Sequence, residues 1–62
     1  MQIEEIRNVL KQLKAIGRER VSLSDLAVYI HTTNKALKQN LVVLKNYFKV
    51  EKTNRAIYIS LK

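Results

Sequence analysis

The hydrophobic period of the chain changes once, near Phe48, and that change divides the fold. Upstream, apolar residues recur three and four apart: Ile3, Ile6, Leu10 and Leu13 in one segment, Leu37, Leu41, Leu44 and Phe48 in another. That spacing places them on one face of an α-helix. Downstream, "FKVEK" and "AIYISLK" alternate, with Phe48 and Val50 sharing one side and Ile57, Ile59 and Leu61 sharing another. Alternation of period two is the mark of a half-buried strand. The intervening "TNR" reads as a tight turn in which Asn54 can accept a positive φ, so the last stretch is a β-hairpin. The fold class is α+β, with the helices first.

The capping residues divide the helical part. The first helix spans about residues 2–16, with Glu4 and Glu5 near its start and Lys11 and Lys14 near its end, each favourable to the helix dipole. Gly17 follows the last apolar residue, where a C-terminal cap needs a left-handed backbone. "RERVSL" is too short for a helix, and Val21 and Leu23, two apart, suit a brief strand. Ser24 is the expected N-cap of a second helix, "DLAVYI", with Asp25 in its first turn. "HTT" interrupts the pattern, and Thr33 is the expected cap of a third helix carrying Leu37, Leu41, Leu44 and Phe48.

With 62 residues the chain is one domain, 1–62, and its core is marginal for its surface. Domains this small usually add a disulfide, a metal or a second chain. The sequence has no cysteine and one histidine, so disulfides and a structural zinc site are not expected, nor is any cofactor. A second copy remains, and a homodimer is the expectation. Val9 and Ile16, seven apart, widen the apolar stripe of the first helix sideways and are the candidate dimer interface.

Charge gives the strongest functional signal. Residues 1–32 hold five bases against four acids, whereas residues 33–62 hold seven bases against Glu51 alone. The stretch His31–Lys49 contains Lys35, Lys38, Lys45 and Lys49 and no acid. A solvated helix face would normally intersperse glutamates for i,i+4 pairing. Charge confined to one half of a chain is the footprint of a polyanion partner. The acids show no pairing suited to acid–base chemistry, and no serine, lysine or histidine sits in a nucleophile motif, so no enzyme is expected. The opening "MQIEEIRNVL" is acidic and amphipathic, unlike a signal peptide, and no apolar run is long enough to span a bilayer. A cytoplasmic, nucleoid-associated protein with neither membrane nor small-molecule partner is expected.

The order helix, short strand, helix, turn, helix, hairpin resembles the winged helix-turn-helix family over nearly the whole chain. The stretch "SDLAVYIHTTNKALKQNLVVL" carries the resemblance: the small Ala27 where two helices cross, a turn four residues on, the cap Thr33, then Leu37, Leu41 and Leu44. His31 stands at the turn position usually filled by glycine, and histidine enters the left-handed region more readily than most residues. The resemblance implies three helices, a short strand and a C-terminal hairpin wing. It also implies a recognition helix over about 33–47, placed in the major groove of double-stranded DNA, and a wing over about 50–57 on flanking DNA. The helix residues implied are Asn34, Lys35, Lys38, Gln39, Val42, Lys45 and Lys49, with Lys52, Asn54 and Arg55 from the wing. Lys38 and Gln39 are expected to reach base edges, Val42 to meet a thymine methyl group, and Lys45 and Lys49 to touch phosphates.

Domains of this family that recognise the Z-form want an asparagine and a tyrosine where Lys38 and Val42 stand. Those that regulate ferrous iron transport carry a cysteine cluster in the wing, absent here. What remains resembles the compact regulators of archaeal and bacterial mobile elements. The leading expectation is a small, sequence-specific transcriptional regulator. Its alternatives are a non-specific architectural or replication-associated DNA binder and a winged-helix protein-interaction module.

Overall fold

A computed structural model describes residues 3–62. The first helix, α1, spans Ile3–Ala15 and buries Ile6, Leu10 and Leu13, the stripe its periodicity predicts. It ends in a Schellman motif around Gly17, whose φ is 92°. The Gly17 N–H donates to the Lys14 carbonyl and the Arg18 N–H to that of Leu13, which satisfies two carbonyls the helix would otherwise leave open.

The brief strand is shorter than its sequence suggests, a two-residue β1 over Val21–Ser22, and α2 follows at once over Leu23–Tyr29. Ser22, not Ser24, is the cap: its Oγ accepts from the Asp25 N–H at 3.2 Å. Burial decides between the two serines. Val21 and Leu23 are both in the core, so the chain must turn helical immediately after the strand, leaving Ser22 as the extended residue ahead of the first turn. α2 closes with a second Schellman motif. His31 has φ 56°, its N–H donates to Val28, and the Thr32 N–H donates to Ala27.

Thr33 caps α3, Asn34–Gln39, by accepting from the Ala36 N–H at 3.1 Å. The helix expected to run on to residue 47 is interrupted at Asn40, and a separate α4 covers Leu41–Tyr47. The cause lies in one side chain. Asn40 Nδ2 donates to the Ala36 carbonyl at 2.9 Å, the acceptor that its own backbone N–H would use in an unbroken helix. That N–H turns instead to Leu37, three residues back. A side chain inserted into the i→i−4 ladder is a recognised cause of helix breaks.

Phe48 leaves the helix and opens β2, Phe48–Lys52, which pairs with β3, Ile57–Leu61. The sheet is antiparallel with order β1-β3-β2; Val50 faces Ile59 and Val21 faces Ile59 from the other side. The hairpin turn is not built on a left-handed Asn54. His31 is the positive-φ residue other than glycine among the described residues. Thr53 holds the turn: its Oγ1 accepts from the N–H groups of Arg55 and Ala56, and its N–H donates to the Ala56 carbonyl at 2.9 Å.

The core gathers Ile6, Leu10 and Leu13 from α1, Val21 and Leu23, Leu26 and Ala27 from α2, then Leu37, Leu44, Phe48 and Ile59. Phe48, 1% exposed, sits under the Arg7 guanidinium, which lies 5.9 Å from its ring centroid. The described residues thus form an α+β fold of four helices, rather than the three expected, and a three-stranded antiparallel sheet; it is compatible with a winged helix. No helix among them is long and apolar enough to cross a membrane.

Candidate nucleic-acid interface

The two caps decide where the basic residues go. Thr33 fixes the start of α3, so Asn34 and Lys38, four apart, stand one above the other on the side of that helix nearest the hairpin turn. Thr53 fixes the turn and thereby places Asn54 and Arg55. These pieces meet in a cleft of about 230 Å³, lined by Asn34 and Lys38 of α3, by Ser24 at the start of α2, and by Thr53, Asn54 and Arg55 of the turn. Two cations line it and no acid does. The ion pairs among the described residues are Arg7 with Glu4 and Arg20 with Glu51, so Lys38 and Arg55 are both uncompensated. Asn34 adds a buried Oδ1 with no hydrogen-bond partner.

Lys35 and Gln39 occupy exposed positions of α3, four apart on one edge. Past the break, Val42 is 77% exposed and Lys45 is exposed one turn further on. Lys52 is exposed at the last paired position of β2, opposite Ile57.

Lys49 is the one basic residue the structure moves off this surface. It belongs to β2, not to a helix, and pairs with Ser60. Strand alternation turns it to the opposite side from Phe48 and Val50, the outer side of the sheet, where it lies beside Lys14 and Glu19. On that same outer side Arg20 bonds Glu51 at 2.8 Å and stacks 4.3 Å from the Tyr58 ring centroid. Tyr58 therefore has a cation over its face rather than an open stacking surface. The acid of the chain's second half, Glu51, is engaged there and does not dilute the charge of the cleft.

The two residues expected at a dimer contact lie together. Val9 is half-buried against the core, while Ile16 is 73% exposed. They line an apolar groove of about 420 Å³ with Gln12, Leu13 and Tyr29. Tyr29 was not predicted there. Its signal was present in α2, where Val28 and Tyr29 are large side chains lying off the buried stripe of Leu23, Leu26 and Ala27. Ser24 and Thr53 of the cleft were also missed, because only the folded turn brings them to α3. Among the described residues no group of three histidine, cysteine, aspartate or glutamate side chains gathers where it could hold a metal ion. Comparison with protein-family models, curated proteins and solved structures finds no match to this chain.

Proposed function

We propose that the chain is a winged-helix protein that binds double-stranded DNA in a sequence-specific manner, acting as a small transcriptional regulator of the kind carried by mobile elements. The observation that carries this reading is the meeting of α3 and the hairpin turn in one acid-free basic cleft. The domain measures 27 × 26 × 21 Å, so its basic face spans little more than one major groove, about 12 Å wide, and the adjacent strand. In this reading α3 enters the major groove with Lys35 and Gln39 toward base edges, Val42 at the start of α4 follows them there, and the wing carries Lys52, Asn54 and Arg55 to flanking DNA. Lys45 touches backbone beyond the break. No catalytic step or cofactor belongs to this reading.

Two copies would meet through the groove of Val9, Ile16 and Tyr29 and present their α3 helices to half-sites about 34 Å apart. Nuclease protection of DNA flanking the protein's own gene tests the reading. A bounded footprint that survives excess random duplex is expected. Uniform protection that random duplex abolishes would favour the architectural alternative, and absence of any protection would reject sequence-specific binding. The exposed Val42, Val43 and Tyr47 of α4 favour a second reading, a protein-docking surface. Retention of a full footprint by Val43→Asp would leave that surface without a part in DNA binding.

A further inference from the structure

We propose that the cleft between α3 and the hairpin turn seats a single DNA backbone phosphate, gripped jointly by Lys38 and Arg55, so that Lys38 positions the protein and reads no base. The inference rests on the DNA-binding reading above and assigns Lys38 a different part from the one its place on α3 suggests.

Three features lead to it. Lys38 and Arg55 come from elements far apart in sequence and face one shared space of about 230 Å³ with no acid in its lining. Asp25, next in the chain to Ser24, is not part of that lining. Two unpaired cations around one small space repel each other until an anion lies between them. The rest of the lining also suits a phosphate: the hydroxyls of Ser22 and Ser24 and the amide of Asn54 can donate to its oxygens. Asn34 keeps a buried amide oxygen unpaired, and turning that amide over would give the cleft a further donor.

The shape of the cleft decides between phosphate and base. On a duplex the phosphate strand is the ridge between two grooves, and base edges lie about 8.5 Å down in the major groove. A cleft bounded by a helix on one side and a protruding turn on the other receives a ridge, with one wall entering each groove. Lys38 lies on the inner wall, so its ammonium meets the ridge before any base edge. Base reading then falls to Lys35, Gln39 and Val42, which the cleft does not include.

The test is a cycle of Lys38→Ala, Arg55→Ala and the double variant. Affinity for a random-sequence duplex is read across a salt series, and amide NMR shifts are read on the DNA-free protein during titration with inorganic phosphate against chloride at equal ionic strength. Both residues are exposed, and circular dichroism confirms that the variants fold. Each single variant is expected to weaken random-duplex binding. The double variant is expected to lower the log–log salt slope by about 0.9, the value for one phosphate, rather than about 1.8 for two. Phosphate is expected to shift the amides of Ser24, Asn34, Lys38 and Arg55 saturably, and Lys38→Ala to abolish this. Unchanged random-duplex affinity in Lys38→Ala would overturn the clamp while leaving the DNA-binding reading intact, as would a slope change near 1.8. Absence of a phosphate-specific shift at these amides would also overturn it. Failure of the unaltered protein to bind any duplex would remove both the clamp and the reading beneath it.

Discussion

Replacing Asn40 by alanine should join α3 and α4 into one helix at almost no cost in stability. The substitution removes the Asn40 Nδ2 bond to the Ala36 carbonyl, part-buried and 2.9 Å long, and a bond of this kind is worth about 1 kcal/mol. Two gains oppose the loss. Alanine is favoured over asparagine inside a helix by about 0.6 kcal/mol. The Ala36 carbonyl also becomes free for the backbone N–H of residue 40, which restores the regular ladder. The net change should therefore lie within about 0.5 kcal/mol of zero by urea denaturation. Helical Cα shifts and i to i+3 contacts should run without interruption from 34 to 47. Lys38 lies on the N-terminal side of the break and Arg55 is held by the Thr53 turn, so random-duplex affinity should hold within about twofold, a change of about 0.4 kcal/mol. A loss above about 1.5 kcal/mol, or a break that persists at residue 40, would refute the argument. Packing of Leu37, Leu41 and Leu44, not the asparagine side chain, would then impose the bend.

Gly17→Ala should cost about 1 kcal/mol in chemical denaturation although nothing lies within 4 Å of the added Cβ, because the whole penalty is the left-handed backbone. His31→Val should cost about 1–2 kcal/mol for the same reason, a β-branched residue being the worst occupant of φ 56°. Phe48→Ala should remove about 3–5 kcal/mol. That is comparable to the whole stability of a domain this size, so its circular dichroism at 25 °C should show a largely unfolded chain. Ile16→Glu should turn a sedimenting dimer into a monomer without moving the monomer's stability by more than about 0.5 kcal/mol, since Ile16 is 73% exposed.

Cap chemistry was the part of the fold most readable from the residues alone. Gly17, His31 and Thr33 fulfil the roles their types suggest, because a cap involves a side chain and the backbone only a few residues away. The hairpin register was readable too: Phe48 and Val50 fall inside and Lys49 and Glu51 outside, as alternation requires. The break at Asn40 was hidden because the Leu37, Leu41 and Leu44 spacing runs unchanged through it. Only the competition for the Ala36 carbonyl reveals it. The choice of Ser22 over Ser24 depended on burial of Leu23, which no local pattern of serines can express. Lys49 was read by its charge and misplaced by its face, since the change from helix to strand at Phe48 sends it to the outer side of the sheet. The cleft itself joins three segments that are separate in the chain, at Ser22–Ser24, Asn34–Lys38 and Thr53–Ile57. Asn34, Lys38, Asn54 and Arg55 follow from the sequence as site residues and Ser24 and Thr53 do not, while the sharing of one space by Lys38 and Arg55 belongs to tertiary structure.

In the proposed reading the face of α3 and the wing binds duplex DNA through its uncompensated charge. On a random duplex, where Lys35 has no cognate base to read, Lys35, Lys45 and Lys52 would each neutralise one phosphate, and Lys38 with Arg55 a fourth, about four in all. The direct measurement is fluorescence anisotropy of a labelled random-sequence duplex titrated with the protein across a salt series from 50 to about 200 mM. Four phosphates predict a log–log slope of about −3.6 per protomer, which weakens binding by about two orders of magnitude over that range. The same slope in Lys49→Ala would agree with placing Lys49 outside the interface. A flat salt response, or a slope that falls only when Lys49 is removed, would contradict the account.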